Sequence, residues 1–449
     1  MFSVFFPAPE GGGHPTRRPG DDPMKSKVLN MAIEKSSFSR AGAQAPTVPE
    51  AGPAGTGVQP GAPSGRMRPD LNTARERLLQ VEKALNSMII GHEDAILALL
   101  VGLVAREHVV LIGPPGTAKT FLVKTLARLL NARHYSYLLT RFTSYDEVFG
   151  AIDITALTRG EYKRNWSRII NSEIVFLDEI FKANSAILNA LLSLLQERIV
   201  YDPLTGTEVK ASLHTAVGAS NEVPEDAELQ ALYDRFAIRV FVDYLNTEDL
   251  VLKALEARWN GNGATITAVA SMNDVQIMHD YAMTILVSRV KELEDNELWR
   301  VYHKNTSGLL KELKKNGFIV SDRMYIEKLP RLVAAYLALR GVTVENIMNA
   351  PYDLLPFLAH TASEKTMIVQ FLTNSLGEIA ELSRKLEEAK KQINAWNFAT
   401  ARSLLEEILS FDMNKLAEKS WLKPRAEAIL ASARDILTRM NQRLEGWSL

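Results

Sequence analysis

Gly113-Pro114-Pro115-Gly116-Thr117-Ala118-Lys119-Thr120 follows the apolar run at 108–112 and opens a helical pattern that continues to residue 130. A short strand, a glycine loop and a helix start, in that order, form the setting a phosphate-binding loop requires. Glycines let backbone amides turn inward toward phosphate oxygens, and the helix start adds free N–H groups. In this reading Lys119 contacts the β- and γ-phosphates of a bound nucleotide, and the Thr120 hydroxyl ligates magnesium. Ala118 stands where the usual pattern has glycine; a residue already entering the helix can be alanine without strain.

Working outward, Ile174-Val175-Phe176-Leu177 forms a wholly apolar run ending in Asp178-Glu179. Four apolar residues place that strand inside a sheet, and its carboxyl end then presents two acids beside the loop. Asp178 can hold magnesium, and Glu179 can polarise the water that attacks a γ-phosphate. Further strand candidates lie at 135–139, 215–219 and 238–242. Helical patterns separate them, notably 93–105 and the stripe Ile187, Leu188, Leu191, Leu192 and Leu195. Short apolar strands alternating with helices predict a parallel sheet covered on both faces, an α/β domain over 71–245.

The flanks differ. Residues 1–70 hold 11 of the 19 prolines and 10 of the 25 glycines, a composition that predicts a disordered tail. Met24, Met31 and Met67 are alternative starts, and Thr73 with Glu76 reads as a capping box that opens the ordered chain. Beyond Asn246 the strand signals fade, which predicts a helical lid over 246–370, with a weak point at residues 260–263. A helical C-terminal region over 371–449 follows. There Leu382, Leu386, Ala389, Ile393 and Trp396 repeat for two heptads, enough for helix packing but short for a coiled coil. Trp396, Phe398, Phe411, Trp421 and Trp447 are large side chains suited either to an interface or to the region's own core.

The chain has 449 residues, of which 46% are hydrophobic and 23% charged, with a formal net charge of −1. That balance offers no broad basic surface for nucleic acid. The absence of cysteine excludes disulfides, thiolate metal sites and cysteine nucleophiles. Its apolar runs are too short to cross a bilayer, and the opening apolar stretch lacks a basic flank, so a cytoplasmic protein without membrane insertion is expected.

Together with what lies downstream, these motifs resemble the AAA+ ATPases, and within them the MoxR family and its RavA-type branch. The resemblance rests on Ile90-Gly91-His92, Thr140-Arg141-Phe142, Glu147-Val148-Phe149-Gly150 and Phe176-Leu177-Asp178-Glu179-Ile180 with Lys182-Ala183. Ile187-Leu188-Asn189 with Glu197-Arg198, Ala219-Ser220-Asn221-Glu222-Val223-Pro224 and Ala231-Leu232-Tyr233-Asp234-Arg235-Phe236 extend it. It implies ATP and Mg2+ as cofactors, with Ile90 and Gly91 beside adenine and residues 113–120 around the phosphates. It also implies Asn221 as sensor 1 and Arg235 as a finger reaching a neighbouring subunit, although pairing with Asp234 is the alternative for Arg235. Arg239 is a weaker second candidate. Ser321-Asp322-Arg323 resembles sensor 2, with Met324 where the family pattern has another basic residue. Residues 201–210 read either as a hairpin near a ring's pore or as a plain surface hairpin. The RavA-type branch carries a small β-rich domain in its C-terminal half, a pattern absent from 370–449 here, so clients tied to that domain do not transfer.

The function implied is an ATP-driven remodeller or chaperone working as a homo-oligomeric ring, a hexamer, on a protein client. A partner with a von Willebrand factor A domain is expected. Two alternatives stand beside it. A nucleic-acid motor would need an N-terminal binding portion that a Gly/Pro-rich tail without cysteine does not supply. A nucleotide-gated scaffold with little turnover would have no need of Glu179, Asn221 and Arg235 together.

Overall fold

The computed structural model describes residues 69–259, 266–291, 297–318, 321, 323–416 and 422–445. The expected tail, the weak point at 260–263, Asp322, Trp421 and Trp447 lie outside the described residues. Five strands form one parallel sheet: β1 (Val109–Ile112), β2 (His134–Leu138), β3 (Ile174–Asp178), β6 (Thr215–Ser220) and β7 (Ile238–Phe241). The order across the sheet is β2-β3-β6-β1-β7, so β1 and β3 are not neighbours; β6 lies between them. Ile112 is in register with Ser220 and Phe241, which brings the loops after β1, β6 and β7 to one edge. β1 is wholly buried, as are four of the five residues of β3, because helices cover both faces. The antiparallel pair β4 (Ile199–Tyr201) and β5 (Glu208–Lys210) forms the hairpin read from the sequence.

The helix α1 (Pro69–Met88) buries Ala74, Leu78, Val81 and Leu85 along one stripe. Thr73 therefore sits inside a helix that begins four residues earlier, and the Thr73–Glu76 capping box does not form its start. The helix α2 (Glu93–Ala105) packs against β1 and β7 and is buried from Ala95 onward except at Leu97. Described elements after Asn246 are all helical. One helix of 33 residues, α3 (Ala362–Asn394), crosses the expected boundary at 370/371, so the lid and the C-terminal region share a continuous element. Its Leu382, Leu386 and Ala389 are buried against following helices of the same chain, including Phe398–Leu409. Trp396 does not continue the stripe: it lies past the helix end at φ 62° and is 67% exposed.

Candidate functional site

The carboxyl edge of the sheet carries the site. After β1 the chain turns through Gly113, where an added Cβ would come within 2.0 Å of the Val242 carbonyl oxygen, so only glycine fits. Gly116 has φ 83° with open space around it. Ala118 has φ 61°, in the left-handed region, and caps the helix Lys119–Leu129. The expectation that alanine enters the helix there without strain is thus corrected, since a Cβ in this conformation crowds its own backbone.

Lys119 lies back along the loop. Its ammonium donates to the carbonyls of Gly113 at 2.6 Å and Pro114 at 2.9 Å. Burial pushes its pKa down, opposed by the carboxylates of Asp178 and Glu179. The Thr120 hydroxyl donates to Asp178 Oδ2 at 3.2 Å, uniting the loop with the acidic strand across β6. Asp178 Oδ1 accepts from the Glu179 amide at 3.1 Å. Glu179 turns away from the strand at φ 50°, and its Oε1 accepts from Asn221 Nδ2 at 2.7 Å and pairs with Lys182 at 3.3 Å. One of its oxygens is therefore fixed by two partners.

This donor set fits magnesium and a nucleotide triphosphate. One hydroxyl and one carboxylate 3.2 Å apart suit an ion that draws its remaining ligands from phosphates and water. Among the described residues no group of three or more His, Asp or Glu side chains could hold a metal alone. Gly91 packs against the segment after β7: a Cβ there, φ 78°, would meet Leu245 at 2.5 Å; its neighbour Ile90 is half-buried. Tyr244, one residue earlier, donates its hydroxyl to the Pro115 carbonyl at 3.0 Å, so this short segment bridges the two loops.

The arginines separate. Arg235 is half-buried, with an Nε that finds no hydrogen-bond partner. Asp234, the alternative partner, is taken by Arg239 at 3.3 Å. Arg239 is 1% exposed, stacks 4.5 Å over Tyr233 and donates to the Leu358 carbonyl. It belongs to the core, which corrects its candidacy as a second finger. Arg323 is corrected too. It pairs with Glu327 at 3.7 Å at the start of a helix whose Lys328 grips Glu107, just before β1. Glu107 lies at the opposite end of the strand from Gly113, so Arg323 is not brought to the loop of its own chain.

A cleft of about 650 Å³ opens beside the loop, lined by Gly113, Pro114, Asn221, Asp243, Lys365 and Thr366 among others. Tyr244 and the residues from α3 were missed in the sequence reading. Tyr244 could have been found from its place directly after a strand at this edge; Lys365 has no local signal.

Comparison with known proteins agrees with the geometry. Residues 76–280 match the model of the MoxR domain in the MoxR-vWA-beta-propeller ternary systems. An uncharacterised protein of Methanocaldococcus jannaschii is 33% identical over 267 residues, covering 59% of this chain and 66% of that one. A second from the same organism is 29% identical over 345 residues, covering 71% and 84%. Chaperone MoxR1 of Mycobacterium tuberculosis is 27% identical over 194 residues, 42% of this chain and 49% of that protein. Among the described residues no helix is long and apolar enough to cross a membrane.

Proposed function

Because the chain belongs to the MoxR family of AAA+ ATPases, we propose that it binds and hydrolyses ATP with magnesium to drive remodelling or assembly of a partner protein. The observation that carries this reading is the double pairing at the sheet edge, Thr120 with Asp178 and Asn221 with Glu179. When bound, magnesium ATP supplies the γ-phosphoryl group and the charge on which these residues act. Lys119 leaves the carbonyls of Gly113 and Pro114 to offset phosphate charge. The Thr120 hydroxyl and the Asp178 carboxylate would hold the metal. Glu179 takes the proton of the attacking water through its other oxygen, while Asn221 keeps the carboxylate aimed.

Arg235, half-buried and not paired with Asp234, which Arg239 holds, serves the neighbouring subunit's site in a homo-oligomeric ring, which we propose is a hexamer, as the family resemblance implies. The family model describes domains of ternary systems with vWA and β-propeller proteins, which supports a partner of the first kind. A cytoplasmic setting, where ATP is supplied, fits this role.

Lys119→Ala and Glu179→Gln test the reading together. Lys119→Ala should abolish nucleotide binding, whereas Glu179→Gln should bind ATP normally and lose about 100-fold or more in kcat. A Glu179→Gln protein hydrolysing at the unmodified rate in a steady-state phosphate-release assay would sink the assignment.

A further inference from the structure

Lys365 is the one basic residue among those lining the cleft beside the phosphate loop, and it comes from the helical region, not from the α/β core. We propose that Lys365 is a nucleotide-contacting residue that neutralises the terminal phosphate of ATP bound in the same chain, a role the sequence pattern assigns to Arg323. The proposal rests on the reading of residues 113–120 as the phosphate-binding loop of an ATP site, beside which this cleft opens, and deepens it.

Three observations carry it. First, the cleft places Lys365 with Gly113, Pro114 and Asn221. Asn221 holds the Glu179 carboxylate, so a triphosphate seated in the loop directs its last phosphate toward that side. Glu222 and Asp243 also line the cleft, and without Lys365 the wall facing the loop would be negative toward an anionic ligand.

Second, the backbone carrying Lys365 is fixed to the core. Lys365 lies in the first turn of α3, whose cap Thr361 accepts from the Glu364 amide. Just before it, the His360 carbonyl accepts from the Tyr233 hydroxyl at 2.7 Å, and the Leu358 carbonyl accepts from buried Arg239 at 3.2 Å. The helix start therefore holds its position over the cleft through the strand that follows Asp234 and Arg235.

Third, the partner Lys365 has in this structure is one it can give up. Its ammonium lies 3.5 Å from Asp94 Oδ2, and the Asp94 side chain is 70% exposed while that of Lys365 is 20% exposed. An ion pair with so exposed a carboxylate is weak, and a phosphate carrying more charge displaces it.

Calorimetric binding of adenylyl imidodiphosphate and of ADP to the full chain, with magnesium, tests the assignment on wild type, Lys365→Met and Lys365→Arg. Lys365→Met should weaken the triphosphate analogue about tenfold and ADP less than about twofold, because the lost contact is to the terminal phosphate alone. Lys365→Arg, which keeps the charge, should recover most of the loss. Equal affinity of all three proteins for the triphosphate, or an equal loss for both nucleotides in Lys365→Met, would overturn the proposal. A wild-type chain binding neither nucleotide would instead overturn the loop assignment, and Lys365 with it. Matching thermal midpoints of the variants keep a folding defect apart from a lost contact, and if Lys365→Met melts early, Lys365→Gln takes its place in the same comparison.

Discussion

At the carboxyl edge of the sheet, Thr120, Asp178, Glu179 and Asn221 hold one another beside an open cleft and keep bonding capacity in reserve. At the amino edge of the same sheet most buried polar groups are spent on packing contacts, with Thr215 Oγ1 and Arg198 Nε left without a partner. Glu107 is 4% exposed, with both oxygens against Lys328 at 2.9 and 3.1 Å and Arg331 at 3.6 Å. His108 accepts the Ala216 amide on Nδ1 at 3.0 Å and lies 2.8 Å from the Leu195 carbonyl on Nε2, which must therefore carry the proton. His214 Nε2 likewise meets the Leu103 carbonyl at 2.8 Å. One edge spends its polar groups on fastening helices to the sheet, and the other keeps them beside an open cleft. Changes at the amino edge should therefore cost stability, and changes at the carboxyl edge should cost chemistry.

The largest stability effect should come from Lys328→Met. It leaves Glu107 buried with only the distant Arg331, and loss of one partner from such a pair costs about 3 kcal/mol. Urea unfolding monitored by far-ultraviolet circular dichroism measures it. The double variant Glu107→Gln with Lys328→Met should recover much of the loss, because no buried charge remains. ATP affinity of the folded single variant should match wild type; a large drop would mean that the two edges are coupled and would break the contrast.

The second effect depends on pH. Burial pushes the His108 pKa down to about 3, with the Arg198 charge adding to it, and burial pushes His214 down to about 4. In the unfolded chain both return to the ordinary value near 6.5. Below that value the unfolded chain takes up protons that the folded one refuses. Stability is therefore full above about pH 6.5 and falls as the pH drops, by about 1.4 kcal/mol per unit for each histidine. Urea midpoints between pH 7.5 and 5 read the slope before carboxylates begin to titrate. His214→Gln, which keeps an N–H donor but no ionisation, should remove the His214 share of that slope and leave the shares of His108, His92 and His360, the last two also held below the ordinary value by burial; an unchanged slope would show that other groups carry it.

How much of this was legible without coordinates follows the same division. Strands such as Val109–Ile112 and Ile174–Asp178 announce themselves because burial on both faces demands an unbroken apolar run. The loop and the acids lie directly at the ends of those strands, so finding the strands finds Lys119, Thr120, Asp178 and Glu179. Arg323 was misplaced because a local motif cannot say at which end of the sheet its helix is anchored; Lys328 on Glu107 decides that. Lys365 was invisible for the same reason. Its place depends on how segments far apart in the chain pack, and no neighbour in sequence records it, whereas Tyr244 follows a strand that ends at this edge. Arg235 and Arg239, four apart, differ in burial because the Arg239 side chain turns onto Tyr233 within the core.

The smallest expected effect sits at the carboxyl edge and sharpens the contrast from the other side. Ala118 holds φ 61° with its methyl exposed to solvent, so the Cβ contributes crowding and little packing. Glycine at this position removes the crowding but makes the unfolded chain more flexible, and the two terms partly cancel. Ala118→Gly should therefore raise the unfolding free energy by about 1 kcal/mol or less, even though it lies inside the ligand loop. The backbone amides that would meet the phosphates keep their conformation, because glycine adopts the same φ freely, so ATP affinity should stay within about twofold. Paired urea titrations and calorimetry on the two proteins give both numbers. A fall in stability would mean that the alanine methyl packs in the folded loop. A rise in stability accompanied by a large loss of affinity would mean that the strain at Ala118 holds the loop open for its ligand, and the carboxyl edge would then owe its function to backbone energy as well as to its side chains.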